Sequence, residues 1–177
     1  MSAIFKAPSD SYPRLTRFEA ELLWHDRNDG PVLLWEWWHR EQIPDDEFAR
    51  LLPEVWHMAE FPVSSIGHKA WLDMFFSAGF VTDCGASRPE KPLTVYRGHD
   101  RAHMRGFSWT TRIEQAQWFA ERFQAIRPPT FVFEVTVPPH AVLADILGRN
   151  EFEIVVNPNC LRGVATPKIA RSLSPGT

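Results

Sequence analysis

Glu151 and Glu153 flank a phenylalanine in the stretch Gly148-Arg149-Asn150-Glu151-Phe152-Glu153-Ile154-Val155-Val156. From Glu151 onward polar and apolar residues alternate with the period of a half-buried strand. A strand rises about 3.3 Å per residue, so this spacing sets both carboxylates on one side, roughly 7 Å apart. Like charges that close repel, and glutamate is depleted in strands. The pair is then either a solvated strand face or two carboxylates dividing labour at a glycosyl-transfer centre, one activating an acceptor and one stabilising a cation. Candidate partners come earlier in the chain. Arg97 and Gly98 end the apolar-alternating run Leu93-Thr94-Val95-Tyr96, and Ser108-Trp109-Thr110 is a short hydroxyl-bearing segment. His99 and His103 are four apart, a spacing that suits a metal on a helix, but they fall in a polar stretch with no third ligand evident. No metal is expected.

These residues need elements to hold them, and the chain divides into two halves. Residues 14–25 place Leu15, Phe18, Leu22 and Leu23 near a helical period, and Pro31 suits the first turn of a second helix carrying Leu34, Trp35, Trp37 and Trp38. The Trp35 to Trp38 patch reads as core. Pro44-Asp45-Asp46-Glu47 opens a third helix with acidic residues at its positive end; Pro53 is expected to kink or divide it. A fourth begins near Ser64-Ser65 and stops at Gly79. After a connector over residues 84–92 the character becomes β-like: strands are expected over residues 93–97, 106–110, 130–137, 141–145, 151–157 and 161–168. One helix is inserted, opened by a Thr111-to-Glu114 capping box and running through Phe119 and Phe123. The reading is an α+β chain, with a helical lobe over residues 1–90 packed on a small mixed β-sheet core over residues 91–177, the two forming separate lobes or one compact domain.

The bulk composition narrows the function classes. With 177 residues and 44% apolar content the chain can bury a real core. A formal net charge of −3 makes nucleic acid an unlikely partner, although Arg97, Arg101, Arg105 and Arg112 form a local basic cluster suited to an anion. Cys84 and Cys160 show no metal-ligand or CxxC spacing and suggest a reducing compartment. No apolar run approaches membrane-spanning length and no cleavable signal opens the chain. A cytoplasmic setting is expected, with export by a signal-independent machine as the other route. Gly-rich nucleotide cradles of the two commonest kinds are absent.

An arginine at a strand end, then Ser-x-Thr, then Glu-x-Glu, in that order over residues 93 to about 168, resembles the Arg–Ser–Glu class of mono-ADP-ribosyltransferases. These are the toxin-like and arginine-modifying enzymes that use NAD as substrate. The resemblance implies a sheet core of the ADP-ribosyltransferase type and a division of roles. Glu153 would bind a ribose hydroxyl and stabilise the developing oxocarbenium charge, and Glu151 would orient the acceptor and take its proton. Ser108 would fix the direction of Glu153. Arg97 would offer a planar fork to NAD phosphate oxygens, Gly98 would let the backbone approach the nicotinamide amide, and Thr110 would keep the motif's hydroxyl. Phe119 would stack on nicotinamide, or else serve the helix's apolar stripe, which is the favoured role. The partners implied are NAD and a protein acceptor, an arginine above all, with nicotinamide released. The chain departs from the pattern at Trp109, where the family has a small residue; alternation should turn Trp109 away from the pocket. NAD hydrolysis with water as acceptor is the alternative activity. A non-catalytic interaction module is the alternative of another class.

Overall fold

The computed structural model describes residues 14–148, 151–162 and 168–172. Its first half is helical, as the apolar periodicity requires. Helix α1 (Arg17–Trp24) starts at a capping box in which Thr16 Oγ1 accepts from the Glu19 amide and Glu19 Oε2 accepts from the Thr16 amide. Helix α2 (Gly30–His39) follows with Pro31 in its first turn. Helix α3 (Asp45–Met58) opens on three acidic residues and runs unbroken through Pro53, so the helix is not divided there. Pro53 is itself buried together with Phe48, Leu51, Leu52, Val55 and Trp56. Burial of a large apolar side chain contributes about 1.5–3 kcal/mol each, which offsets the ~3 kcal/mol disfavour of an internal proline. Helix α4 (Pro62–Ala78) begins earlier than Ser64 and is interrupted at Gly67, whose φ of 80° and ψ of 166° separate a first turn from the regular helix beyond.

The second half, joined by one short strand from the end of the first, builds a mixed seven-stranded sheet in the order β1-β5-β6-β3-β2-β4-β7. Its strands are β1 (Val81–Thr82), β2 (Leu93–His99), β3 (Ser108–Thr110), β4 (Phe131–Val137), β5 (Val142–Ile146), β6 (Glu153–Val156) and β7 (Lys168–Ser172). The β1–β5 pair is parallel and the remaining pairs are antiparallel. Several expectations change here: β1 is an unforeseen strand, and β2 runs on to His99, so Arg97 and Gly98 lie inside it rather than at its end. Cys160–Arg162 is a 3-10 turn and the last strand begins at Lys168, where the expected strand ended; residues 163–167 lie outside the described set. The helix α5 (Ile113–Gln124) has Arg112 at its cap position with no side-chain cap bond, so the Thr111 capping box does not form. The strand expected from Glu151 starts at Glu153, because Phe152 adopts a left-handed conformation (φ 51°) that breaks the alternation.

The two halves share one core. Trp37, Trp56, Trp71, Met74 and Phe75 from the helices pack with Phe107, Leu143, Ala144, Ile146 and Val155 from the sheet half. The expectation that the Trp-rich patch is core holds: Trp37 is buried, and Trp35 and Trp38 pack half-buried against the same cluster. On the opposite face of the sheet Val95, Trp109, Phe133, Val135, Ile154 and Val156 form a second core. Helix α5 lies over β2 and β4 through Ala116, Ala120, Val132 and Tyr96. Among the described residues no helix is long and apolar enough to cross a membrane.

Candidate functional site

Register brings the hydroxyl and carboxylate segments side by side. In the β3–β6 pair Thr110 sits opposite Glu153, Trp109 opposite Ile154 and Ser108 opposite Val155. Directly opposed residues share a face and neighbours alternate, so Ser108, Thr110 and Glu153 lie on one side of the sheet. Trp109 lies on the other, in the second core, with its indole N–H donating to Gly106 O at 2.8 Å. The bulky residue in the motif therefore stays out of the site, as alternation predicts.

Glu153 is half-buried, and groups from two elements act on its carboxylate. The Ser108 hydroxyl, on the same sheet face, favours its charged form from the neighbouring strand. The Trp56 indole N–H, brought by α3, donates to Oε1 at 2.9 Å. Burial is the largest influence on its ionisation and raises its pKa; the bonds from Ser108 and Trp56 and the charge of Arg97 act against it, while the charge of Glu151 adds to it. The balance leaves Glu153 above the ordinary carboxylate range.

Arg97 reaches this group by an indirect route. Along β2 it faces with Val95, opposite to Tyr96, and Tyr96 is the β2 residue paired to Thr110. Beyond that one pair β2 and β3 part, and the guanidinium fills the gap. Its Nε donates to His103 O at 2.9 Å, and Nη1 donates to Ser108 O. A Cβ built on Gly106 would lie 2.5 Å from Nη2, so a side chain there would have to displace the guanidinium. Burial pushes Arg97 down to about 10, with Glu153 and Asp100 pulling the other way, and it remains charged at neutral pH. Two of its nitrogens thus close the split in the sheet, which leaves one edge rather than a full fork for a ligand.

The remaining expected residues are placed as follows. Thr110 is buried; its hydroxyl accepts from the Arg112 amide at 3.2 Å and donates to Glu151 O at 3.4 Å. Glu151 is half-buried and precedes the strand, and its charge is close enough to act on Glu153. The Phe152 turn between them is covered by Arg112, whose Cζ stands 3.2 Å from the ring centroid. Gly98 is explained by α5: an added Cβ would meet Ala116 O at 1.9 Å and Ala120 N at 2.5 Å. Phe119 sits half-buried on α5, where its ring contacts are with Trp118 and Phe123.

Sequence reasoning missed three supports. Trp56 is the first; nothing in its local sequence marks it, since its partner lies 97 positions away. Asp83 is the second, its two carboxylate oxygens accepting from the Leu147 and Gly148 amides at 2.7 and 2.9 Å. His57 is the third: its ring lies so close to Gly148 that an added Cβ would stand 2.9 Å from it. Together Asp83 and His57 hold the start of the loop that leads to Glu151.

The structure also supplies the third partner absent from the His99/His103 reading. Ligand atoms of His99, Asp100 and His103 lie within 4.8 Å of one another and could hold a metal ion. Those atoms are already engaged with each other and the backbone. His99 Nδ1 accepts from the Asp100 amide at 2.9 Å, and Asp100 Oδ1 accepts from the amides of Ala102 and His103. Arg127 Nη1 stands 3.3–3.4 Å from both His103 ring nitrogens, which places a cation where a metal would need open space. A cavity of about 150 Å³ opens elsewhere, between α1 and α3 near Leu22, Val55 and Met58; it borders none of the residues above.

No protein-family model, no curated protein and no solved structure matches this chain.

Proposed function

We propose that the chain is an NAD-dependent mono-ADP-ribosyltransferase with a core of the ADP-ribosyltransferase type, moving ADP-ribose to a protein acceptor, an arginine above all, and releasing nicotinamide. One observation carries this reading: a half-buried carboxylate on β6 that shares its sheet face with a serine hydroxyl on β3 and accepts an indole N–H, with the charge of an arginine on β2 acting on the same group.

The reaction breaks the bond between the ribose anomeric carbon and the nicotinamide nitrogen, and the electron pair leaves with nicotinamide. Positive charge then develops on the ribose, and an acceptor nitrogen attacks the anomeric carbon and loses a proton. Glu153, oriented before substrate arrives, stabilises that developing charge and binds a ribose hydroxyl. Glu151, next to it and set off by the Phe152 turn, faces the acceptor and takes its proton. Arg97 adds a fixed positive field and one free edge for a phosphate oxygen, its main hydrogen bonds being spent on the protein's own carbonyls. NAD and the acceptor are both substrates, and no step calls for a metal.

The test is incubation with NAD carrying labelled adenylate, alongside candidate extract, scored for released nicotinamide and labelled protein. Glu153→Gln keeps an acceptor oxygen for Trp56 and should retain the fold by circular dichroism. Its nicotinamide release should fall about 10²–10³-fold, the scale of losing one transition-state electrostatic partner. Undiminished release from that variant removes Glu153 from the mechanism and the reading with it.

A further inference from the structure

We propose that Trp56 is a positioning residue of the site: its indole N–H orients the Glu153 carboxylate from the helical half, so that the helical half supplies part of the catalytic centre. The proposal rests on the transfer reading for its kinetic consequences but not for the contact itself. Trp56 is 1% exposed and wedged edge-on among Trp71, Phe75 and Phe107, with ring centroids at 4.7, 5.5 and 5.4 Å. Trp71 is fixed in turn by its own N–H bond to Pro62 O at 2.7 Å. An indole so confined cannot swing, and its N–H points where the cluster sends it.

A buried indole N–H needs an acceptor, but most find a neutral one. Trp71 uses the Pro62 carbonyl, Trp109 the Gly106 carbonyl and Trp38 the Ser77 hydroxyl. Trp56 alone among these four gives its N–H to an ionisable group. A hydrogen bond to an ionised carboxylate is about twice as strong as one between neutral partners, and it favours the charged form. Ser108, on the same sheet face, also favours the charged form, so the indole is the donor that orients the carboxylate and both act on its ionisation. The direction agrees with the electrostatics, in which the Trp56 bond opposes the effect of burial.

Trp56→Phe keeps a ring in the cluster and deletes only the donor. The expected result is a loss of about tenfold or more in kcat for nicotinamide release with little change in KM for NAD. The acidic limb of the pH profile should move to higher pH. The carbon-13 signal of the Glu153 carboxyl, assigned by its loss in Glu153→Gln, should titrate at higher pH in Trp56→Phe than in the wild type. Trp71→Phe, which disturbs the same cluster without touching Glu153, should lower stability and leave both midpoints in place. A second measurement needs no change at Trp56: the nitrogen-15 indole signal of Trp56 should titrate with Glu153 in the wild type and cease to do so in Glu153→Gln. If the wild type lacks turnover of NAD, the transfer reading fails while both carboxyl and indole titrations still decide the role of Trp56. An unmoved Glu153 midpoint in folded Trp56→Phe, or an indole signal blind to that titration, overturns the proposal.

Discussion

Gly98→Ala should destabilise the protein by about 3–4 kcal/mol, at or just above the upper end of the usual cost of over-packing. The added Cβ would stand 1.9 Å from Ala116 O and 2.5 Å from Ala120 N, whereas an ordinary contact begins at 3.4 Å. Both obstacles are backbone atoms of α5, so no side-chain rotation relieves the clash. Either α5 retreats from β2 by about 1.5 Å, the difference between the 1.9 Å approach and the 3.4 Å contact, or β2 bends away from β4. The first loses the contacts of Ala116, Ala120 and Val132, all fully buried; the second disturbs the Gly98 to Val132 pairing. Domains of this kind are stable by about 5–15 kcal/mol, so the variant should still fold at 25 °C. The assay is urea denaturation followed by circular dichroism, with the midpoint falling and the slope unchanged. A thermal midpoint lower by roughly 6–16 °C is the matching calorimetric result, at about 2–4 °C per kcal/mol for a chain of this size. Gly85→Ala is the control: its φ is 74° and an added Cβ meets nothing within 4 Å, so it carries only the left-handed strain of about 1–2 kcal/mol. A loss below about 1 kcal/mol for Gly98→Ala, or one no larger than that of the control, refutes the claim that α5 demands this glycine.

Arg97→Lys should cost about 2–3 kcal/mol, because one ammonium cannot replace donors to both His103 O and Ser108 O and leaves a half-buried carbonyl unpaired; a denaturation midpoint equal to the wild type would show that the split in the sheet holds without it. Acid should destabilise the protein through His99, whose pKa burial and then the charge of Arg97 push down to about 4 from the ordinary 6.5. Since the folded value lies below the unfolded one, the contribution of neutral His99 is fully present above about pH 6.5 and is lost as pH falls through 6.5 toward 4. His99→Gln should flatten the fall in stability across that window, and an unchanged pH dependence would locate the acid sensitivity elsewhere.

The residues that bear the proposed chemistry were legible because each sits on or beside a strand with a clear period. Residues 130–137 alternate and form β4 from Phe131; the segments of Arg97 and Ser108 are likewise legible by alternation and flanking glycine, although Arg97 lies inside β2 rather than at its end. What sequence could not supply is the environment of those residues. Nothing at Phe152 announces a positive φ, since it is neither glycine nor asparagine; that turn is specified by what surrounds it, including the Arg112 guanidinium over the ring and the Thr110 bond to Glu151 O. The two-residue strand β1 is too short to show any period, although Asp83 beside it grips the loop before Glu151. Arg97 shows the same gap from the other side: its identity suggested a ligand fork, but the carbonyls that claim two of its nitrogens have no sequence signature. Tertiary packing also overrode a local rule at Pro53, where burial keeps one helix running through a proline and so carries Trp56 to Glu153. A helix divided at Pro53 would aim residue 56 differently. The orientation of Glu153 therefore depends on a feature that local propensity argues against, which is why the helical half reads from sequence as packing and from structure as part of the site.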